Sequence, residues 1–247
     1  ELGQRQAAAV PASLADEDVS AVYASPLVRT QLTGVPLAQE RSLEVRVREG
    51  LEEIAAGDFE MRADQVAVEG YLGGLAAWLH RDLDHAVPGG TTGHDFMARF
   101  DGAVRSIAGA HGRDDTVALF SHGAAIRVFA TLAAELDADD IEGRWINNTG
   151  LVLLDGRPGE GWDLVRWTGD PLGGAHLASV RAHDVTGEAI DEEPTDVSAA
   201  WRLLPTPHPD ASTHDAGDRE VVVEGDEVGP ARSVAAVLAD PGRRELL

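Results

Sequence analysis

The chain has 247 residues, of which 20 are Lys or Arg and 43 are Asp or Glu, for a formal charge of −23. All twenty cations are arginine. A field this negative repels nucleic-acid phosphates and anionic lipid, so neither is expected as a partner. With no cysteine there is no disulfide framework, no thiolate metal site and no Cys nucleophile. No stretch approaches the ~18 consecutive apolar residues of a spanning helix. Neither is there a basic-then-apolar leader pattern, so a cytoplasmic protein is expected. The chain opens on Glu1 rather than Met, the mark of a processed or partial chain.

In chain order, residues 2–14 suit a helix, with Leu2, Gln6, Ala9 and Val10 on one side and Pro11 kinking or dividing it. Residues 19–24 form a short apolar run with β-branched and aromatic members, which reads as a buried parallel strand. Residues 27–37 suit a helix that Pro36 ends. Leu43, Val45 and Val47 alternate with Glu44, Arg46 and Arg48, a strand with one wet face. Residues 51–60 match neither period and read as a loop. Helical spacing returns over 65–83 and 95–110, with turn chemistry between them. A strand follows at 116–120, then an Ala-rich helix at 124–136, then strands at 150–154 and 162–167. Alternating strand and helix implies an α/β protein with a mainly parallel sheet flanked by helices in three layers.

After about residue 182 the texture changes. Residues 181–247 hold fifteen acids and six arginines around the run TPHPDASTHDAGD. Such a composition buries little apolar surface. The division expected is an α/β domain over 1–182 and a disordered acidic tail over 183–247, with a possible strand at 219–224 and a helical turn or two at 233–239.

In open α/β sheets, ligands bind outside the carboxyl ends of the strands. Ser25-Pro26-Leu27-Val28-Arg29-Thr30 leaves one predicted strand, Ser121-His122-Gly123 leaves another, and Glu52-Glu53 follows a third. Arginine grips an oxyanion with two parallel hydrogen bonds, and a protonated His122 would add a second cationic donor. A carboxyl group facing a phosphate is repelled unless it carries a proton, which is the state a general acid requires.

The joint order of these segments resembles the histidine phosphatase superfamily, the phosphoglycerate-mutase-like fold. ELGQRQAAAV is similar to that family's L-T-x-x-G-x-x-Q-A opening helix, VYASPLVRTQLT to its Y-S-S-P-L-x-R-A-x-Q-T segment, and GLEEIAAGDFE to L-x-E-I-x-x-G-x-W-E-G. TVALFSHGAAIR resembles V-V-S-H-G-x-x-I-R, and NNTGLVLL the Asn-rich run that leads into a later strand. The resemblance implies that Arg29 clamps phosphate, that His122 is the pocket's second histidine, and that Glu53, at the L-x-E position counted from Leu51, is the proton donor. It implies a phosphomonoester hydrolase working through a phosphohistidine, with a small phosphorylated substrate or inorganic phosphate as ligand and no cofactor.

One departure outweighs the matches. The family's nucleophile lies in an R-H-G segment ending a first, central strand ahead of the opening helix, and no R-H-G occurs in this sequence. Met61 also stands where the family has glycine after W-E, and Gly90-Thr91-Thr92 where many members have G-E-S. These leave the substrate unassigned. Without an R-H-G segment, residues 1–247 are expected to lack phosphatase activity. Two other readings stay open: a non-catalytic phospho-ligand binding module, and a phosphoglycerate mutase, whose marking insertion is not visible.

Overall fold

The computed structural model describes residues 1–141 and 143–178 in full and Val234–Ala239 as backbone. Six strands form one mixed sheet in the order β2-β1-β3-β6-β4-β5: β1 is Val19–Ala24, β2 Val45–Val47, β3 Thr116–Ser121, β4 Leu151–Arg157, β5 Gly161–Thr168 and β6 Val234–Ala239. β1 runs parallel to both β2 and β3, and β3 parallel to β6. β4 runs antiparallel to β6 and to β5.

Side chains alternate across a strand with period two, and here both sets are apolar. Val22, Ala24, Ala118, Phe120, Leu151 and Leu153 face one cluster with Val10, Leu14, Leu37 and Ala38 of α1 (Leu2–Ser13), its following turn and α2 (Val28–Glu40). Ala21, Tyr23, Val117, Leu119, Val152 and Leu154 face the opposite cluster. There they meet α3 (Gln65–Leu79), α4 (Gly93–Ala108) and α5 (Gly123–Ala133), which contribute Trp78, Phe96, Phe100 and Phe129. Both faces of β1 and β3 are therefore covered over most of their length, which is why those strands read as near-continuous apolar runs, with Ser20 the one exposed member of β1. This is the three-layer, phosphoglycerate-mutase-like α/β fold that the sequence implied. A four-residue helix, α6 (Ala138–Ile141), was not anticipated.

Helix starts follow capping chemistry. Thr92 and Asp95 form a reciprocal capping box at α4, and the Asp64 side chain accepts from the Ala67 N–H at α3. Two expectations about proline are corrected. α1 runs through Pro11, which is buried, and α2 runs through Pro36 to Glu40. A proline deletes one helical hydrogen bond and crowds the preceding turn. At Pro36 that loss is offset by burying Leu37 and Ala38, which are 0% and 3% exposed. α3 also stops at Leu79, short of the expected residue 83.

The helical turn expected at 233–239 is a strand instead: β6 pairs Val117↔Ala235 through Ser121↔Ala239 on one side and Leu151↔Leu238 through Asp155↔Val234 on the other. Valine and alanine alone do not distinguish a short helix from a buried strand. The centre of the sheet is thus filled from the C-terminal part of the chain. The strand expected at 219–224, and the rest of the predicted tail, lie outside the described residues. Among the described residues, no helix is long and apolar enough to cross a membrane.

Candidate functional site

The site grows from the ends of β1 and β3. The two strands are parallel and in register to Ala24↔Phe120, so the residues that follow them emerge side by side. The Ser25 N–H donates to the Phe120 carbonyl at 3.0 Å and locks the two exits together. From there the chain enters α2, whose first turn carries Arg29, and α5, where His122 holds the N-cap position.

Arg29 and His122 meet directly. Nη2 of the guanidinium lies 3.1 Å from Nδ1 of the imidazole. The other ring nitrogen, Nε2, is 2.9 Å from Ser25 Oγ, which in turn is 2.9 Å from Thr30 Oγ1. Ser25 and Thr30 are 0% exposed and His122 3%. Burial first, then the cations Arg29 and Arg99, push the His122 pKa down to about 3. The imidazole is therefore neutral in the unliganded pocket.

Glu53 arrives from the loop after β2. His122 does not cap α5 with its own side chain; the Glu53 carboxyl takes that role. Oε1 accepts from the Ala125 N–H at 2.8 Å and Oε2 from the Ala124 N–H at 3.3 Å, with Ile54 N–H a further donor at 2.8 Å. Those donors and the nearby Arg29 favour the charged form, but desolvation outweighs them and raises the pKa to about 7. A carboxyl group that is half protonated near neutrality thus sits on the first turn of the helix that His122 begins.

The loop that carries Glu53 lacks regular structure, so its backbone polar groups must be satisfied individually. Arg99 of α4 does most of this. Its Nη1 donates to the carbonyls of Gly50 and Glu52 and to Glu52 Oε2, each at 3.0 Å, and its Nη2 to the Glu53 carbonyl at 3.2 Å. Ser121 Oγ donates to the Leu51 carbonyl at 2.7 Å and Tyr71 Oη to that of Ile54 at 3.2 Å. Gly57, at φ +57, turns the loop where a Cβ would collide with the Pro88 carbonyl.

Arg29, His122 and Glu53 are thus brought together, while Glu52 pairs with Arg99. Ser25, Thr30 and Arg99 were not singled out from the sequence. Ser25 and Thr30 sit inside a segment that was, whereas Arg99 has no local signal because its partners lie 46–49 residues away. Among the described residues, no group of three or more His, Asp or Glu could hold a metal ion.

Residues 1–170 match the histidine phosphatase superfamily (branch 1), and the chain belongs to that superfamily. Among curated proteins it is similar to the PE-PGRS family protein PE_PGRS11 of Mycobacterium tuberculosis, 32% identical over 246 residues, covering 93% of this chain and 41% of that protein. It is also similar to phosphoserine phosphatase 1 of Hydrogenobacter thermophilus, 27% identical over 127 residues, covering 51% of this chain and 60% of that one. The chain therefore spans less than two thirds of either relative. Among solved structures, mycobacterial glucosyl-3-phosphoglycerate phosphatase superimposes with TM-score 0.58 at 25% identity, over 69% of this chain and 87% of that one. The same enzyme in complex with inorganic phosphate gives TM-score 0.57 at 25% identity, over 72% and 88%.

Proposed function

We propose that this chain carries the phosphate-binding part of a phosphomonoester hydrolase that works through a phosphohistidine. The observation that carries the reading is the convergence of Arg29, His122 and the protonatable Glu53 at the exits of adjacent parallel strands. Phosphatases among the similar proteins, one of them solved with inorganic phosphate, support it.

In this reading Arg29 and His122 hold the phosphoryl group, and the guanidinium neutralises the charge that develops on its equatorial oxygens. An R-H-G histidine, which residues 1–247 do not supply, attacks phosphorus as the ester P–O bond breaks. Glu53 passes its proton to the departing alcohol oxygen. Water then attacks phosphorus and gives a proton to the Glu53 carboxylate, and the P–N bond breaks to release phosphate. A bound phosphoryl anion repels the ionised carboxylate, so substrate itself helps Glu53 to carry the proton it must donate.

A second reading, a phospho-ligand binding module without turnover, is favoured by one observation: β6 pairs with both β3 and β4 and fills the middle of the sheet, leaving no gap there for another strand. Calorimetry with inorganic phosphate tests what the two readings share. Binding to the wild-type chain that weakens at least ~10-fold in both Arg29→Ala and His122→Ala supports the pocket; equal binding by all three chains removes it. Turnover of an aryl phosphate once an R-H-G-bearing strand precedes Glu1, falling ~10²-fold in either variant, separates the hydrolase from the binder.

A further inference from the structure

We infer that Ser25 is a positioning residue that locks His122 as the Nε2–H tautomer, so that the ring nitrogen beside Arg29 offers a lone pair. A guanidinium has donors and no acceptor. Its Nη2 lies 3.1 Å from Nδ1, so Nδ1 accepts, and the one proton of a neutral ring sits on Nε2. That nitrogen is 2.9 Å from Ser25 Oγ, which accepts it and also accepts the Leu27 N–H at 3.3 Å. With both lone pairs used, the Ser25 hydroxyl donates to Thr30 Oγ1 at 2.9 Å, and Thr30 donates to the Leu27 carbonyl at 2.7 Å.

Every proton in this chain runs the same way, from Arg29 through His122, Ser25 and Thr30 to a backbone acceptor. The opposite tautomer would set an Nδ1–H against a guanidinium N–H, and the guanidinium has no acceptor to offer it. Ser25, Thr30 and His122 in this chain are buried, where an unsatisfied polar group is expensive.

The lock has a consequence for the ligand, which rests on the phosphate reading above. A phosphoryl oxygen that approaches Nδ1 meets an acceptor, so the contact needs a proton between them. The cations Arg29 on α2 and Arg99 on α4 oppose taking that proton from solvent, and Glu53 holds its own in hydrogen-bonding range of the first turn of α5. The ligand that fits is a phosphate monoanion that draws the guanidinium from Nδ1 to its own oxygens and lets its P–OH donate to the lone pair so freed.

The test is the two-bond ¹⁵N–¹H spectrum of the full chain with ¹⁵N-labelled histidine, without phosphate at neutral pH, the His122 signals being those lost in His122→Gln. A protonated Nε2 and an unprotonated Nδ1 are expected. Ser25→Thr keeps that pattern. Ser25→Ala mixes the tautomers and weakens inorganic phosphate about 10-fold, the value of one oriented hydrogen bond. A wild-type proton on Nδ1, or a fixed tautomer in Ser25→Ala, overturns the inference, and the wild-type spectrum decides even where the Ala variant does not fold. Failure of phosphate to bind a wild-type chain that shows the Nε2–H pattern supports the lock and overturns the phosphate reading instead.

Discussion

The guanidinium of Arg29 donates to Nδ1 of His122 across 3.1 Å, although 93 residues separate them. The contact exists because β1 and β3 are parallel neighbours that end in register, and it places a fixed cation against a titratable ring. The folded-state pKa of about 3 lies below the ordinary imidazole value of 6.5, so the unfolded chain takes up a proton that the folded one refuses. That contribution to stability is complete above pH 6.5 and fades as pH falls towards 3. In an NMR titration, the His122 ring protons are expected to stay in the neutral position down to about pH 4, and Arg29→Ala to move the midpoint upward. An identical midpoint in both proteins contradicts the pairing.

Glu53 has the opposite sign. Its folded pKa of about 7 lies above the ordinary carboxyl value of 4.5, so the folded state holds a proton that the unfolded state has lost. Stability therefore falls as pH rises from 4.5 to 7, with a slope of at most about 1.4 kcal/mol per pH unit. Glu53→Gln removes that slope and leaves the His122 slope unopposed between pH 4.5 and 6.5. Urea midpoints at pH 5, 6 and 7 are expected to show the variant gaining on the wild type at each step. A constant difference contradicts the desolvated carboxyl.

Much of this architecture is written in local pattern. The runs at 19–24 and 116–120 identify buried strands because both faces of the sheet are covered, and the stripe Phe96, Phe100, Ala103, Val104, Ile107 identifies α4 because only one side of that helix is buried. Arg29, His122 and Glu53 are legible because strand exits in a parallel sheet converge. Three features have no local signature. Pro36 is tolerated for the sake of Leu37 and Ala38, a tertiary effect. The Arg99 clamp is made to carbonyls, which every residue type carries. The central strand Val234–Ala239 follows a long acidic stretch, and its six small and branched residues take their conformation from the edges of β3 and β4 rather than from their own period.

That strand makes truncation informative. A central strand is bonded on both sides, and each backbone bond contributes about 1 kcal/mol net. Deleting residues 234–247 would bare the facing edges of β3 and β4. The melting temperature is expected to drop by at least ~10 °C, and a synthetic peptide spanning 230–243 to restore part of it. An unchanged melting temperature would mean that β6 adds nothing to the sheet.

Arg99 offers the sharpest separation between holding the site and lining it. Its guanidinium binds three carbonyls of the 50–53 loop and the Glu52 carboxylate, and it also lowers the His122 pKa through space. Arg99→Ala leaves those partly buried acceptors without a donor, so a stability loss of about 1–3 kcal/mol is expected. Removing the cation also raises the His122 midpoint, while the released loop lets water reach Glu53 and brings its midpoint down towards the ordinary carboxylate range. Arg99→Lys keeps the charge but cannot fork between carbonyls. It is therefore expected to hold the His122 midpoint near that of the wild type while still losing the elevated Glu53 value. Titration of the two groups in both variants checks this: if Glu53 keeps a midpoint near 7 in Arg99→Ala, the loop is held by Ser121 and Tyr71 without the clamp.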